Sequence, residues 1–152
     1  MNQLSLEKDV ILKRVEGIEA EIVELKRLGE LEFTEFADGD GWKLAQFHLH
    51  RALDGIFNIS SHILSRIPGA TATQYKEMAV KMGEYKLVPE EFAKTKLAEM
   101  AKYRNRLVHF YAQISAEELY RIIQEDLGDF EIFLRAVKDI LAFPGKYNLT
   151  VE

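Results

Sequence analysis

Cysteine is absent from this chain of 152 residues, and with it go disulfides, thiolate metal sites and cysteine nucleophiles. Such a chain suits a reducing compartment, and a cytoplasmic location is expected. Long apolar runs are missing too, since none approaches the roughly 20 residues that span a bilayer. The opening MNQLSLEKDV has no basic stretch followed by an apolar one, so neither export nor membrane insertion is expected. Basic charge is not in excess: the formal net charge is −5, whereas broad coating of nucleic acid works by neutralising many phosphates with Lys and Arg. Any nucleic-acid contact must be local. No glycine-rich phosphate loop, G-x-S-x-G elbow or zinc spacing occurs, which removes the common nucleotide-binding and hydrolase readings. What is present is ordinary for a folded chain, with 47% hydrophobic and 30% charged residues. The length suits a single domain over residues 1–152.

Helical periodicity runs through the sequence and strand alternation never persists, which predicts an all-α fold. A first helix starts after Ser5, a good N-cap, and carries Ile11, Val15, Ile18, Ile22 and Leu25 on one face as far as Gly29. After the turn-rich Asp38-Gly39-Asp40-Gly41, a second places Leu49, Leu53, Ile56, Ile63 and Ile67 together until Pro68-Gly69 stops it. Thr71 and Gln74 can cap a third helix that ends near Met82, with Gly83 as its left-handed terminus. Pro89 suits the first turn of a fourth, where its missing N–H costs nothing. Ser115 and Glu118 form an S-x-x-E capping box flanked by Ile114 and Leu119, so a fifth helix begins near Ala116 and runs to about Leu141. Five helices joined by short connections make an antiparallel bundle.

The fourth helix holds the anomaly. Ala93, Leu97, Met100, Ala101, Leu107 and Val108 mark its apolar stripe, and Arg104 falls in the middle of it. A guanidinium there needs a carboxylate, backbone acceptors, a partner subunit or an anionic ligand, because burying it alone costs several kcal/mol. An ion pair with a neighbouring helix is the plain structural answer. His109 lies about one turn beyond, and Tyr111 returns to the Arg104 face at i+7 if the helix extends that far. Lys94, Lys96, Lys102 and Arg106 make this stretch basic within an acidic chain, which admits either local phosphate attraction or a solvated face complementing the helix dipole.

These residues resemble a known family. Arg104, four intervening residues and His109 match the Arg-x4-6-His signature of the HEPN superfamily, and Tyr111 extends it to the R-x4-H-x-Y form of HepT-type toxins. The surrounding YKEMAVKMGEYKLVPEEFAKTKLAEMAKYRNRLVHFY is similar to that family, including the Pro-Glu-Glu helix start and the Arg104-Asn105 dipeptide, and so is the later ELYRIIQEDLGDFEIFL. In the first helix only the pattern agrees. Where the family often has Asp followed four residues later by His in the second helix, this chain has Asn58 and His62, which removes a possible carboxylate partner for Arg104.

The resemblance implies a five-helix HEPN bundle and a homodimer whose two fourth helices bring Arg104 and His109 of both copies into one cleft. It implies a toxin of a toxin–antitoxin pair that cleaves RNA by attack of the 2′-hydroxyl, needing neither metal nor cofactor. His109 suits general acid–base work because an imidazole exchanges protons near neutral pH. Arg104 would hold the scissile phosphate, and Asn105 would orient His109 or the substrate. Asn58, His62, Lys102 and Arg106 would be supporting polar or substrate-binding residues. In the family the tyrosine matching Tyr111 accepts AMP from a minimal nucleotidyltransferase antitoxin, which makes Tyr111 the expected regulatory site. A non-catalytic module that binds nucleotide or the nucleotidyltransferase through the same cleft is the alternative. On the second helix, His50 and Asp54 stand at i,i+4 and are open to a metal site or, more simply, to a solvated face. No histidine follows Glu by three residues, so a di-iron bundle is excluded.

Overall fold

A computed structural model describes residues 4–109 and 114–152. Its described residues form seven α-helices: α1 Lys8–Leu28, α2 Phe33–Asp38, α3 Gly41–Ser65, α4 Tyr75–Glu84, α5 over residues 90–108, α6 Ala116–Glu125 and α7 Gly128–Ala142, followed by a 3-10 turn at Pro144–Tyr147. The all-α reading stands, with two more helices than the five expected. One addition is α2, which forms beside the glycine-rich turn and sends Phe36 fully into the core. The other comes from a break in the expected fifth helix at Asp126 and Leu127. That break redirects the chain so that Leu127, Phe130 and Phe133 reach the core as well as Leu119 and Ile122.

The apolar stripes of α1 and α3 face each other and form the bundle's longest contact. They cross closely at Gly55, where a Cβ would stand 2.5 Å from Ile18 Cγ1. Ser5 does not cap α1. Its hydroxyl meets Thr150 Oγ1 at 2.8 Å, in a parallel bridge between Leu6 and Val151 that ties the two ends of the chain together. The amide that starts α1, Glu7 N–H, donates instead to His62 Nε2 of α3 at 3.1 Å.

Two further expectations change at α4. Gln74, not Thr71, precedes the helix, and no side chain caps it. The left-handed residue beyond its end is Lys86, with φ 58°, while Gly83 lies inside the helix. Gly83 is small for another reason, since its Cβ would sit 2.6 Å from Ala93 Cβ of α5. Helix α5 follows Pro89 as Glu90–Phe92, a π-helical stretch Ala93–Leu97, and Ala98–Val108. It packs on both α3 and α4.

The capping signal of α6 is present in part: Ser115 Oγ accepts Glu118 N–H at 3.2 Å, with Ile114 and Leu119 buried on either side. The Glu118 side chain goes elsewhere, to α5. Trp42 Nε1 donates to the Ile114 carbonyl at 3.2 Å, and Tyr120 Oη to the Leu31 carbonyl at 2.6 Å, so α6 is fastened to the start of α3 and to the α1–α2 turn.

Candidate active site

Ala93, Leu97, Met100 and Ala101 are buried as the stripe predicts, whereas Leu107 is half-buried and Val108 is exposed. The apolar face of α5 therefore leaves the core just past Arg104. The Arg104 side chain is only 17% exposed. Its Nε donates to Asp54 Oδ1 of α3 at 2.7 Å, and its guanidinium lies over the Tyr75 ring of α4, 4.8 Å from the centroid. Tyr75 in turn packs on Phe57, with ring centroids 5.1 Å apart. The second oxygen of Asp54 stands 3.2 Å from His50 Nε2, one turn earlier on α3. A carboxylate and an aromatic face thus offset the desolvation of the cation, and together they fix its plane. Among the described residues, no partner meets the Nη1 and Nη2 edge of the guanidinium, which is the edge that grips a phosphate with two parallel N–H bonds.

His109 caps the C-terminus of α5 in extended conformation, φ −114° and ψ 113°, with its N–H on the Arg106 carbonyl at 3.3 Å. It is exposed. The helix ends at Val108, and Tyr111 lies outside the described residues. Asn105 and Lys102 are exposed on α5 beside Arg104. Arg106 is bound to α6: Nη1 donates to Glu118 Oε2 at 2.7 Å, and its guanidinium lies 5.7 Å from the Tyr103 ring centroid. This hydrogen bond holds the Glu118 carboxyl below the usual carboxylate range and raises Arg106 further.

The pair expected on α3 separates. Asn58 is exposed one turn beyond Asp54 and lines a groove of about 240 Å³ with Arg14, Arg51 and Asp54. His62 points to the start of α1, where burial and the nearby Arg66 cation push its pKa down. His48 serves structure as well, sharing Glu21 of α1 with Arg51. Three residues of the Arg104 setting were not assigned to it from the sequence: Asp54, His50 and Tyr75. The signal for Asp54 was the i,i+4 spacing from His50, read there as a solvated or metal-binding pair; Tyr75, from a separate helix, leaves no local trace.

By architecture the chain is an all-helical protein of the HEPN fold. It matches the tri-AMPylated Shewanella oneidensis HEPN toxin, solved in complex with its MNT antitoxin, at a TM-score of 0.78 and 19% identity, covering 91% of this chain and 98% of that one. A toxin–antitoxin structure solved with AMP-PNP gives 0.72 at 19% identity, with 86% and 98% covered. The chain belongs to the ribonuclease HepT-like family, whose model matches residues 18–137. A curated relative, the tRNA nuclease HepT of Aphanizomenon flos-aquae, is 24% identical over 138 residues, 90% of this chain and 93% of that protein. Among the described residues, no helix is long and apolar enough to cross a membrane.

Proposed function

We propose that this protein is the toxin of a toxin–antitoxin pair and a metal-independent endoribonuclease that acts as a homodimer. The observation that bears most weight is the Nη edge of Arg104, unpartnered among the described residues and presented by Asp54 and Tyr75 five residues before His109. Family membership and the relative named as a tRNA nuclease support RNA as the substrate. In this reading Arg104 binds the scissile phosphate and stabilises the charge that builds on its oxygens. The 2′-oxygen attacks phosphorus as His109 takes its proton, the bond to the 5′-oxygen breaks, and the leaving oxygen is protonated, with His109 of a second copy as the donor. A cyclic phosphate and a free 5′-hydroxyl result. Lys102 and Asn105, exposed beside Arg104, are substrate contacts, and Asn58 borders the adjoining groove.

Exposed apolar residues near the site support the second copy. Leu44 is 47% and Phe47 56% exposed on α3, on the face that continues through Arg51 to Asp54, and Val108 is 41% exposed on α5. Apolar patches of this kind are common at protein contacts. Neutralisation is assigned to a nucleotidyltransferase partner, by analogy with the HEPN toxin solved beside its MNT antitoxin. The phenolic oxygen of Tyr111 attacks the α-phosphate of ATP, pyrophosphate leaves, and the AMP excludes RNA by charge and volume.

Purified wild type, Arg104→Ala and His109→Ala are to be assayed on RNA with a chelator present. Cleavage by the wild type that falls roughly a hundredfold or more in each variant is expected. Absence of cleavage by all three favours a non-catalytic binding module and sinks the enzyme. Incubation with the partner and ATP is expected to add the mass of AMP, and persistence of that gain in Tyr111→Phe rejects the acceptor.

A further inference from the structure

At the end of α5 away from Arg104, a cavity of about 580 Å³ opens between the α4–α5 turn, α7 and the Pro144–Tyr147 turn. Arg104 stands fifteen positions after Pro89 on its rim, a distance on the order of 22 Å at the helical rise, so the two sites are distinct. The volume lies in the range of small-molecule pockets. Pro89, Ile132, Ala136 and Tyr147 give it an apolar and aromatic wall, and Lys86 and Arg135 give it two cations.

Both cations are exposed, and each has a distinct setting. Arg135 stands on α7 with Glu131 one turn before it and Asp139 one turn after, the spacing at which helix ion pairs form. Neither acid takes it. Glu131 Oε1 pairs with Lys26 Nζ of α1 at 3.4 Å, and Asp139 Oδ2 is engaged by Lys146 Nζ at 3.2 Å and by the Tyr147 hydroxyl. Among the described residues Arg135 is left without a partner. Glu90, the other acid on the wall, pairs with Lys94 at 3.5 Å. Lys86 closes α4 in the left-handed conformation, φ 58°, its N–H on the Gly83 carbonyl at 3.0 Å and Leu87 N–H on the Met82 carbonyl at 2.9 Å. That arrangement is a Schellman motif, whose left-handed position normally holds glycine because a Cβ is strained there. Here the strained position holds a lysine whose side chain borders the cavity, and it also borders an adjoining hollow of about 510 Å³. The result is a concave positive spot in a chain of net charge −5, every carboxylate on its wall being matched by a lysine.

We propose that this cavity binds a compact phosphate-bearing ligand of mononucleotide size, the phosphate between Lys86 and Arg135 and the remainder against Pro89, Ile132 and Ala136. Two sources supply that chemistry, a free mononucleotide and the phosphorylated end of an RNA. The assignment does not depend on catalysis at Arg104.

Titration calorimetry with AMP, and with an RNA oligonucleotide carrying or lacking a terminal phosphate, separates the sources. Arg135→Glu is expected to weaken binding at least tenfold and added salt to weaken it further. Lys86→Gly is the more telling variant: it relieves the left-handed strain, so its thermal midpoint should hold or rise while affinity falls several-fold. Arg104→Ala removes the RNA site proposed at Arg104, and in that background the affinity for AMP and the gain from a terminal phosphate are expected to persist. Binding of the phosphorylated oligonucleotide alone assigns the ligand to an RNA end and keeps the phosphate site. Undiminished affinity in Arg135→Glu, or no binding of either probe at millimolar concentration, overturns the proposal.

Discussion

Arg104 and His62 show how the fold assigns roles to single polar residues. Arg104 is anchored by a carboxylate on a different helix, and a double-mutant cycle of Arg104→Met with Asp54→Asn, followed by urea unfolding, is expected to give a coupling of about 1 kcal/mol. A coupling of zero shows that the contact does not persist in solution. His62 accepts a hydrogen bond from the Glu7 amide, which only a neutral imidazole can do, and burial lowers its pKa from 6.5. A lowered folded-state value means that the unfolded chain binds the proton more readily. Stability is therefore full above about pH 6.5 and is lost as pH falls toward the folded-state pKa. Thermal midpoints measured from pH 7.5 to 5 are expected to decline more steeply for the wild type than for His62→Gln, and equal slopes reject this origin.

Among the elements, α5 illustrates what periodicity conveys and what it misses. Its stripe from Ala93 to Ala101 was legible because those side chains are buried. Its end was not, because Leu107 and Val108 are apolar whether or not they are covered. The π-helical stretch at Ala93–Leu97 had no sequence signature either, though it lies where α5 meets α4 most closely. There Gly83 faces Ala93 with no room for another methyl, and neither Cβ can swing aside. Gly83→Ala is thus expected to destabilise by about 1–3 kcal/mol, despite alanine's better helix propensity, as read by chemical denaturation. A neutral or stabilising result shows that the two helices separate easily. Local chemistry did predict the start of α6, where Ser115 bonds an amide three residues away, whereas the ends of α1 and α4 are fixed by distant or strained groups.

For the whole molecule, the homodimer proposed above would cover the exposed Leu44 and Phe47 of α3 and Val108 of α5. Phe47→Glu is expected to raise the dimer dissociation constant about tenfold or more, measured by analytical ultracentrifugation, with the thermal midpoint of the monomer little changed. A wild type that stays monomeric at all concentrations removes the dimer. Burial within the chain and exposure at this face are properties of the whole bundle, and neither belongs to a single helix.

By itself the sequence determined the helical class, the core faces of α1 and α3 and the suspicion attached to Arg104, because amphipathic spacing and a cation in an apolar stripe are local facts. Only the tertiary structure decided that Asp54 and Tyr75 hold that cation, that His62 serves the start of α1, and that Arg135 is left without a partner among the described residues. Such pairings join residues about 30 to 100 positions apart, and which carboxylate meets which cation is set by how helices pack, something no spacing along one helix encodes.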